Sequence, residues 1–119
     1  MKLNHINLVA TDVAAAIKLF ETYFHFKCIE IKGDNIVAIL KAEDDFTLVI
    51  MTGKNEAVRY PEAFHIGFML NNTNTVIETY NKLKDGGIPV GKEPSKIRDS
   101  FGFYFNFDNL MIEVGHYTD

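Results

Sequence analysis

Histidine is the side chain best suited to chemistry near neutral pH, as an acid–base group or a metal ligand, and the chain has four: His5, His25, His65 and His116. Two of them recur in the same setting. Leu3-Asn4-His5-Ile6-Asn7-Leu8-Val9 lies over Ala63-Phe64-His65-Ile66-Gly67-Phe68-Met69 at an offset of 60, each histidine sitting within an apolar, strand-like stretch. A single histidine on such a strand is more often a hydrogen-bonded structural residue than a ligand; the repetition is what singles these two out. Alternation puts His5 on one face with Asn7 and Val9, and His65 with Gly67 and Met69. Gly67, lacking a side chain, would leave room there for a ligand. Cys28 with His25 nearby has no third orienting group and reads as core or edge packing. Glu43-Asp44-Asp45 reads as a solvated turn, and Gly86-Gly87 as a helix cap rather than a phosphate loop.

The elements that would position these residues also repeat. A strand at Leu3 to Ala10 precedes a helix capped by Asp12 with Ile17, Phe20 and Phe24 at helical spacing. Strands then follow at Phe26 to Lys32, Ile36 to Lys41 and Phe46 to Met51, split by Gly33-Asp34-Asn35 and Glu43-Asp44-Asp45. The second half has a strand at Ala63 to Leu70 and a helix from about Thr73 whose stripe is Val76, Ile77, Tyr80 and Leu83. It closes with strands at Ile88 to Val90, Phe101 to Phe105 and Leu110 to His116, the last two joined through Asp108-Asn109. The expected fold is α+β: one domain over 1–119 made of two βαβββ modules, at about 1–52 and 63–119, with a linker at about 53–62. The closing strands align as Leu48-Val49-Ile50-Met51-Thr52 over Met111-Ile112-Glu113-Val114-Gly115, which sets Ile50 against Glu113.

Composition narrows the function classes. The 119 residues are 47% apolar, enough for a core that buries roughly two-thirds of the unfolded surface without structural metal or disulfides. With 12 basic against 16 acidic side chains, only two arginines and a pI near 5.5, nucleic-acid binding is not expected. No apolar run approaches the ~18 residues of a membrane span, and no signal-peptide core is evident, so the expected setting is cytoplasmic and away from membranes. The single cysteine excludes paired-thiol redox chemistry within the chain.

The motifs Leu3-Asn4-His5-Ile6-Asn7-Leu8, Phe64-His65-Ile66-Gly67 and Ser100-Phe101-Gly102-Phe103-Tyr104-Phe105-Asn106-Phe107-Asp108-Asn109, leading into Met111-Ile112-Glu113-Val114, resemble the vicinal oxygen chelate superfamily. Glyoxalase I, extradiol dioxygenases, fosfomycin-resistance enzymes and bleomycin-binding proteins belong to it, and the resemblance spans essentially the whole chain. It implies that each module curls into half of a cup and that His5, His65 and Glu113 hold a divalent metal. Two imidazoles and a carboxylate suit manganese, iron(II), nickel or zinc with open positions for substrate. One departure is the turn before the last ligand, Asn106-Phe107-Asp108-Asn109-Leu110 where the family commonly has Asp-Pro-Asp-Gly-Asn; a β-turn survives that change.

The resemblance further implies a homodimer acting on a small oxygen-rich substrate, as a lyase, thiol transferase or dioxygenase. His5 would complete the site either within its own chain or across the dimer. Ile50 cannot ligate, which disfavours the four-ligand reactions of glyoxalase I and methylmalonyl-CoA epimerase. Lys92 falls where fosfomycin-resistance transferases carry a phosphonate-contacting lysine. Against that activity, Asn7 replaces their threonine, and their arginine-bearing C-terminal extension is not expected here, the chain stopping six residues after Glu113. Asn7, Gly67 and Lys92 are the implied substrate contacts. Tyr104 and Tyr117 are the candidate acid–base residues, Tyr117 sharing Glu113's face while His116 does not and reads as a surface histidine. The other function class is a metal-free drug- or antibiotic-binding protein of the bleomycin-resistance kind, which would use aromatic side chains for stacking.

Overall fold

The computed structural model describes residues 1–53 and 57–118; part of the expected linker, 54–56, and the last residue of module two lie outside the described residues. The chain divides into two compact units, Met1–Val58 and Arg59–Asp119. Unit 1 contains β1 (His5–Ala10), α1 (Val13–Tyr23), β2 (Lys27–Lys32), β3 (Val37–Lys41) and β4 (Thr47–Thr52). Unit 2 contains β5 (His65–Met69), α2 (Thr73–Asp85), β6 (Ser95–Ile97), β7 (Ser100–Phe107) and β8 (Leu110–Tyr117). Each is a βαβββ module.

In unit 1 the strand order is β1-β4-β3-β2, with β1 parallel to β4 and the other pairs antiparallel. α1 packs on one face of this open sheet. Val13, Ala16, Leu19 and Phe20 of the helix are buried with Leu8, Ala38, Leu40, Leu48 and Ile50 of the strands. Asp12 caps α1, its Oδ1 accepting the Ala15 N–H at 3.2 Å. Ile17 is only half-buried. His25 follows the helix cap with φ 59°, the left-handed turn that ends α1.

Unit 2 repeats the plan with order β5-β8-β7-β6, β5 parallel to β8. Val76, Tyr80 and Leu83 of α2 are buried with Phe103, Phe105, Ile112 and Val114. Tyr80 sets its ring edge-on to Phe103 at 5.2 Å and donates its hydroxyl to the Gly91 carbonyl at 2.7 Å. α2 ends in a Schellman motif: Ile88 N–H donates to Leu83 O and Gly87 N–H to Lys84 O, with Gly87 at φ 85°. Its start is capped by Asn72, whose Oδ1 accepts from Thr75 N at 2.8 Å and Thr75 Oγ1 at 2.9 Å. Asn72→Ala lowers the unfolding free energy by about 1 kcal/mol, read as a shift in the urea midpoint at unchanged slope.

Two sequence expectations need correction. Ile88 to Val90 is not a strand: Pro89 has no N–H for a ladder, and Val90 is buried as core instead. The strand of that region is Ser95–Ile97, three residues of which two are polar, too short for a period to be read. Ile77, expected in the apolar stripe of α2, is 41% exposed because it lies one helical step off the row formed by Val76, Tyr80 and Leu83. Among the described residues no helix is long and apolar enough to cross a membrane.

Candidate functional site

The face of each sheet turned away from its helix carries the residues capable of chemistry. In unit 2, β5 and β8 run in register with His65 opposite Met111 and Gly67 opposite Glu113; on the far side of β8, Tyr104 stands directly opposite Glu113. This brings four expected residues together. His65 Nε2 lies 3.4 Å from Glu113 Oε1, the histidine two-fifths exposed and the glutamate nearly one-fifth. The Tyr104 ring meets the His65 ring edge-on, centroids 5.7 Å apart. A Cβ at Gly67 would come within 3.4 Å of Glu113 Oε1, so glycine keeps the space beside that oxygen open.

The histidine's protonation follows from its second nitrogen. His65 Nδ1 is 3.1 Å from the Ala63 carbonyl oxygen, which can only accept, so Nδ1 carries a proton and, whenever the ring is neutral, Nε2 is the nitrogen whose lone pair faces Glu113. A lone pair and a carboxylate oxygen at 3.4 Å repel unless a cation or a second proton lies between them. Two donors each about 2.1 Å from one ion stand about 3.0–3.4 Å apart at right or tetrahedral angles, so this pair fits two ligands of one divalent metal. Tyr104 stands directly opposite Glu113, and partial burial first, then the Glu113 charge and a hydrogen-bonding interaction with that carboxylate, raise its pKa above the usual 10.0, with Arg98 pulling the other way. Tyr104 therefore stays protonated, a donor, throughout the neutral range.

In unit 1, His5 occupies the matching position on β1, opposite Thr47, with Asn7 opposite Val49. His5 Nδ1 bonds Asn4 Oδ1 at 2.7 Å, which again leaves Nε2 as the nitrogen with the lone pair. The register corrects the alignment of the closing strands: since Asn7 and Gly67 are equivalent, the counterpart of Glu113 is Val49, not Ile50. Ile50 is buried against α1, as Val114 is against α2. The module-one position remains hydrocarbon.

The other candidates stand apart. Tyr117 is 66% exposed, four residues beyond Glu113 on β8, about 13 Å along a strand. Lys92 is exposed between α2 and β6. His116, expected on the surface, is half-buried and bonds the Leu70 carbonyl through Nδ1 at 2.8 Å, tying β8 to the end of β5. Glu43, Asp44 and Asp45 form an exposed turn in which Asp44 Oδ1 accepts Phe46 N–H. Among the described residues no three His, Cys, Asp or Glu side chains are gathered as a metal cage. Sequence reasoning missed the acceptors that fix the two tautomers. Asn4 left a signal, a polar residue before the first histidine; the Ala63 backbone oxygen left none.

Comparisons with known proteins agree with the fold. A family model for the Glyoxalase/Bleomycin resistance protein/Dioxygenase superfamily matches residues 2–114. A possible glyoxalase from Bacillus cereus is 35% identical, covering 96% of this chain and 97% of its own, with a TM-score of 0.81. The genomically encoded fosfomycin resistance protein FosX from Listeria monocytogenes, at 22% identity and TM-score 0.75, covers 97% of this chain and 90% of its own. Lactoylglutathione lyase from Agrobacterium tumefaciens, at 16% and 0.74, covers 97% and 92%. The last two show a shared fold. No curated protein matches the chain.

Proposed function

The chain belongs to the glyoxalase/bleomycin resistance protein/dioxygenase superfamily, and on that premise we propose that it is a divalent-metal-dependent enzyme acting on a small oxygen-rich substrate. The observation that carries this reading is the pair His65 Nε2 and Glu113 Oε1, 3.4 Å apart, with the opposite imidazole nitrogen engaged by the Ala63 carbonyl. His5, with the same tautomer on the equivalent strand, is the third ligand, from the same chain or from the second copy of a homodimer. Manganese, iron(II), nickel and zinc all suit two imidazoles and a carboxylate. When bound, the ion supplies Lewis acidity toward neighbouring oxygens of the substrate. Asn7 and Gly67 would border the substrate on the two first strands, with Lys92 and Tyr117 as outlying contacts. Val49 in place of a fourth carboxylate keeps the set at three, which favours thiol transfer or ring cleavage over the four-ligand glyoxalase I reaction.

The second reading, a metal-free binding protein for a small drug or antibiotic, is favoured by the gathering of two donors rather than three among the described residues. Chelation separates the two. Activity toward epoxide or catechol substrates that disappears with EDTA and returns with one of the four metals supports the enzyme. Tight ligand binding indifferent to EDTA, with no metal-restored turnover, supports the binder and contradicts the enzyme.

A further inference from the structure

Tyr104 touches both candidate ligands of unit 2: it is paired with Glu113 across the β7–β8 hairpin, and its ring edge rests against His65. A metal-bound carboxylate left alone rotates between ligation through one oxygen and through two. A hydroxyl that donates to it fixes its rotamer and takes up lone-pair capacity that a second metal bond would need. The Gly67 gap beside Oε1 leaves that oxygen clear toward His65 Nε2, while Tyr104 approaches from the opposite strand.

The geometry points to Tyr104 as a positioning residue that holds Glu113 as a one-oxygen ligand aimed at the ion shared with His65, rather than as an acid–base group or core filler. This rests on the metal-site reading above. In this role the hydroxyl serves the carboxylate across the hairpin and not a substrate proton. At 38% exposure the ring is also not core.

The test is a cobalt(II) titration of the full chain, stripped of metal, for the wild type, Tyr104→Phe and Tyr104→Leu, following visible absorption and affinity together with the melting midpoint of each apoprotein. Tyr104→Phe should melt with the wild type, bind cobalt about 10- to 100-fold more weakly, and at saturating cobalt show weaker d–d bands as a second carboxylate oxygen enters the coordination shell. The saturated spectrum does not respond to stability alone, so it reports the ligand. Wild-type affinity and spectrum in Tyr104→Phe overturn the inference and leave the metal site standing. Loss confined to Tyr104→Leu assigns the role to the ring and overturns the hydroxyl's part. A wild type that takes up no cobalt overturns both this inference and the metal reading.

Discussion

Gly102→Ala costs about 3 kcal/mol or more of folding stability, the upper end of what an overpacked core position loses. A Cβ at Gly102 would collide with the Val114 carbonyl oxygen and sit 2.7 Å from Gly115 Cα, both backbone atoms of the neighbouring strand β8. No rotamer relieves such a clash. The hairpin itself must open, and it is the hairpin that sets Tyr104 opposite Glu113. Gly91→Ala is the contrast: at φ 61° with nothing within 4 Å of the added Cβ, it pays only the left-handed backbone strain, about 1–2 kcal/mol. Urea unfolding of the two variants should rank them in that order, and equal midpoints would show that β7 and β8 are not so tightly apposed.

His65→Ala should weaken divalent-metal binding by about a hundredfold or more, beyond what losing an outer hydrogen-bond partner costs a site, while changing stability little. The side chain is two-fifths exposed, and its deletion leaves Glu113 with Tyr104 and solvent as partners. His116→Ala should do the reverse. It removes the Nδ1 bond to Leu70 O, costs about 1 kcal/mol of stability, and leaves metal affinity intact. Calorimetric titration with manganese and zinc reads the first effect, and urea midpoints read the second. Equal metal affinity in His65→Ala and the wild type would remove His65 from the site.

The repeat made most of this legible beforehand. Two histidines sixty residues apart in matching strands, each followed by a capped helix, revealed both modules and the face on which His5, Asn7, His65 and Gly67 stand. Period and turn chemistry located Asp12, the Gly86-Gly87 cap and the Asp108-Asn109 turn, whose two positive φ angles suit a two-residue hairpin. Register was harder to read. A slip of one residue in aligning Leu48 to Thr52 with Met111 to Gly115 chose Ile50, since both strands are nearly continuous hydrocarbon and only cross-strand pairing distinguishes the buried face from the other. β6 is hard to read because three residues, two of them polar, are too few to show a period. The half-buried position of His116 is not legible in the sequence because its partner is a backbone oxygen 46 residues away, which side-chain patterns do not encode. The pairing of Tyr104 with Glu113 needed the exact length of the β7–β8 turn.

The most direct test of the central claim is the metal content, by mass spectrometry, of untagged protein purified without chelator. The account predicts about one divalent ion per chain, with His65 Nε2 and Glu113 Oε1 among its ligands. No bound metal, even after incubation with manganese, iron(II), nickel and zinc, would contradict it and leave the paired histidine and glutamate as part of a metal-free binding face.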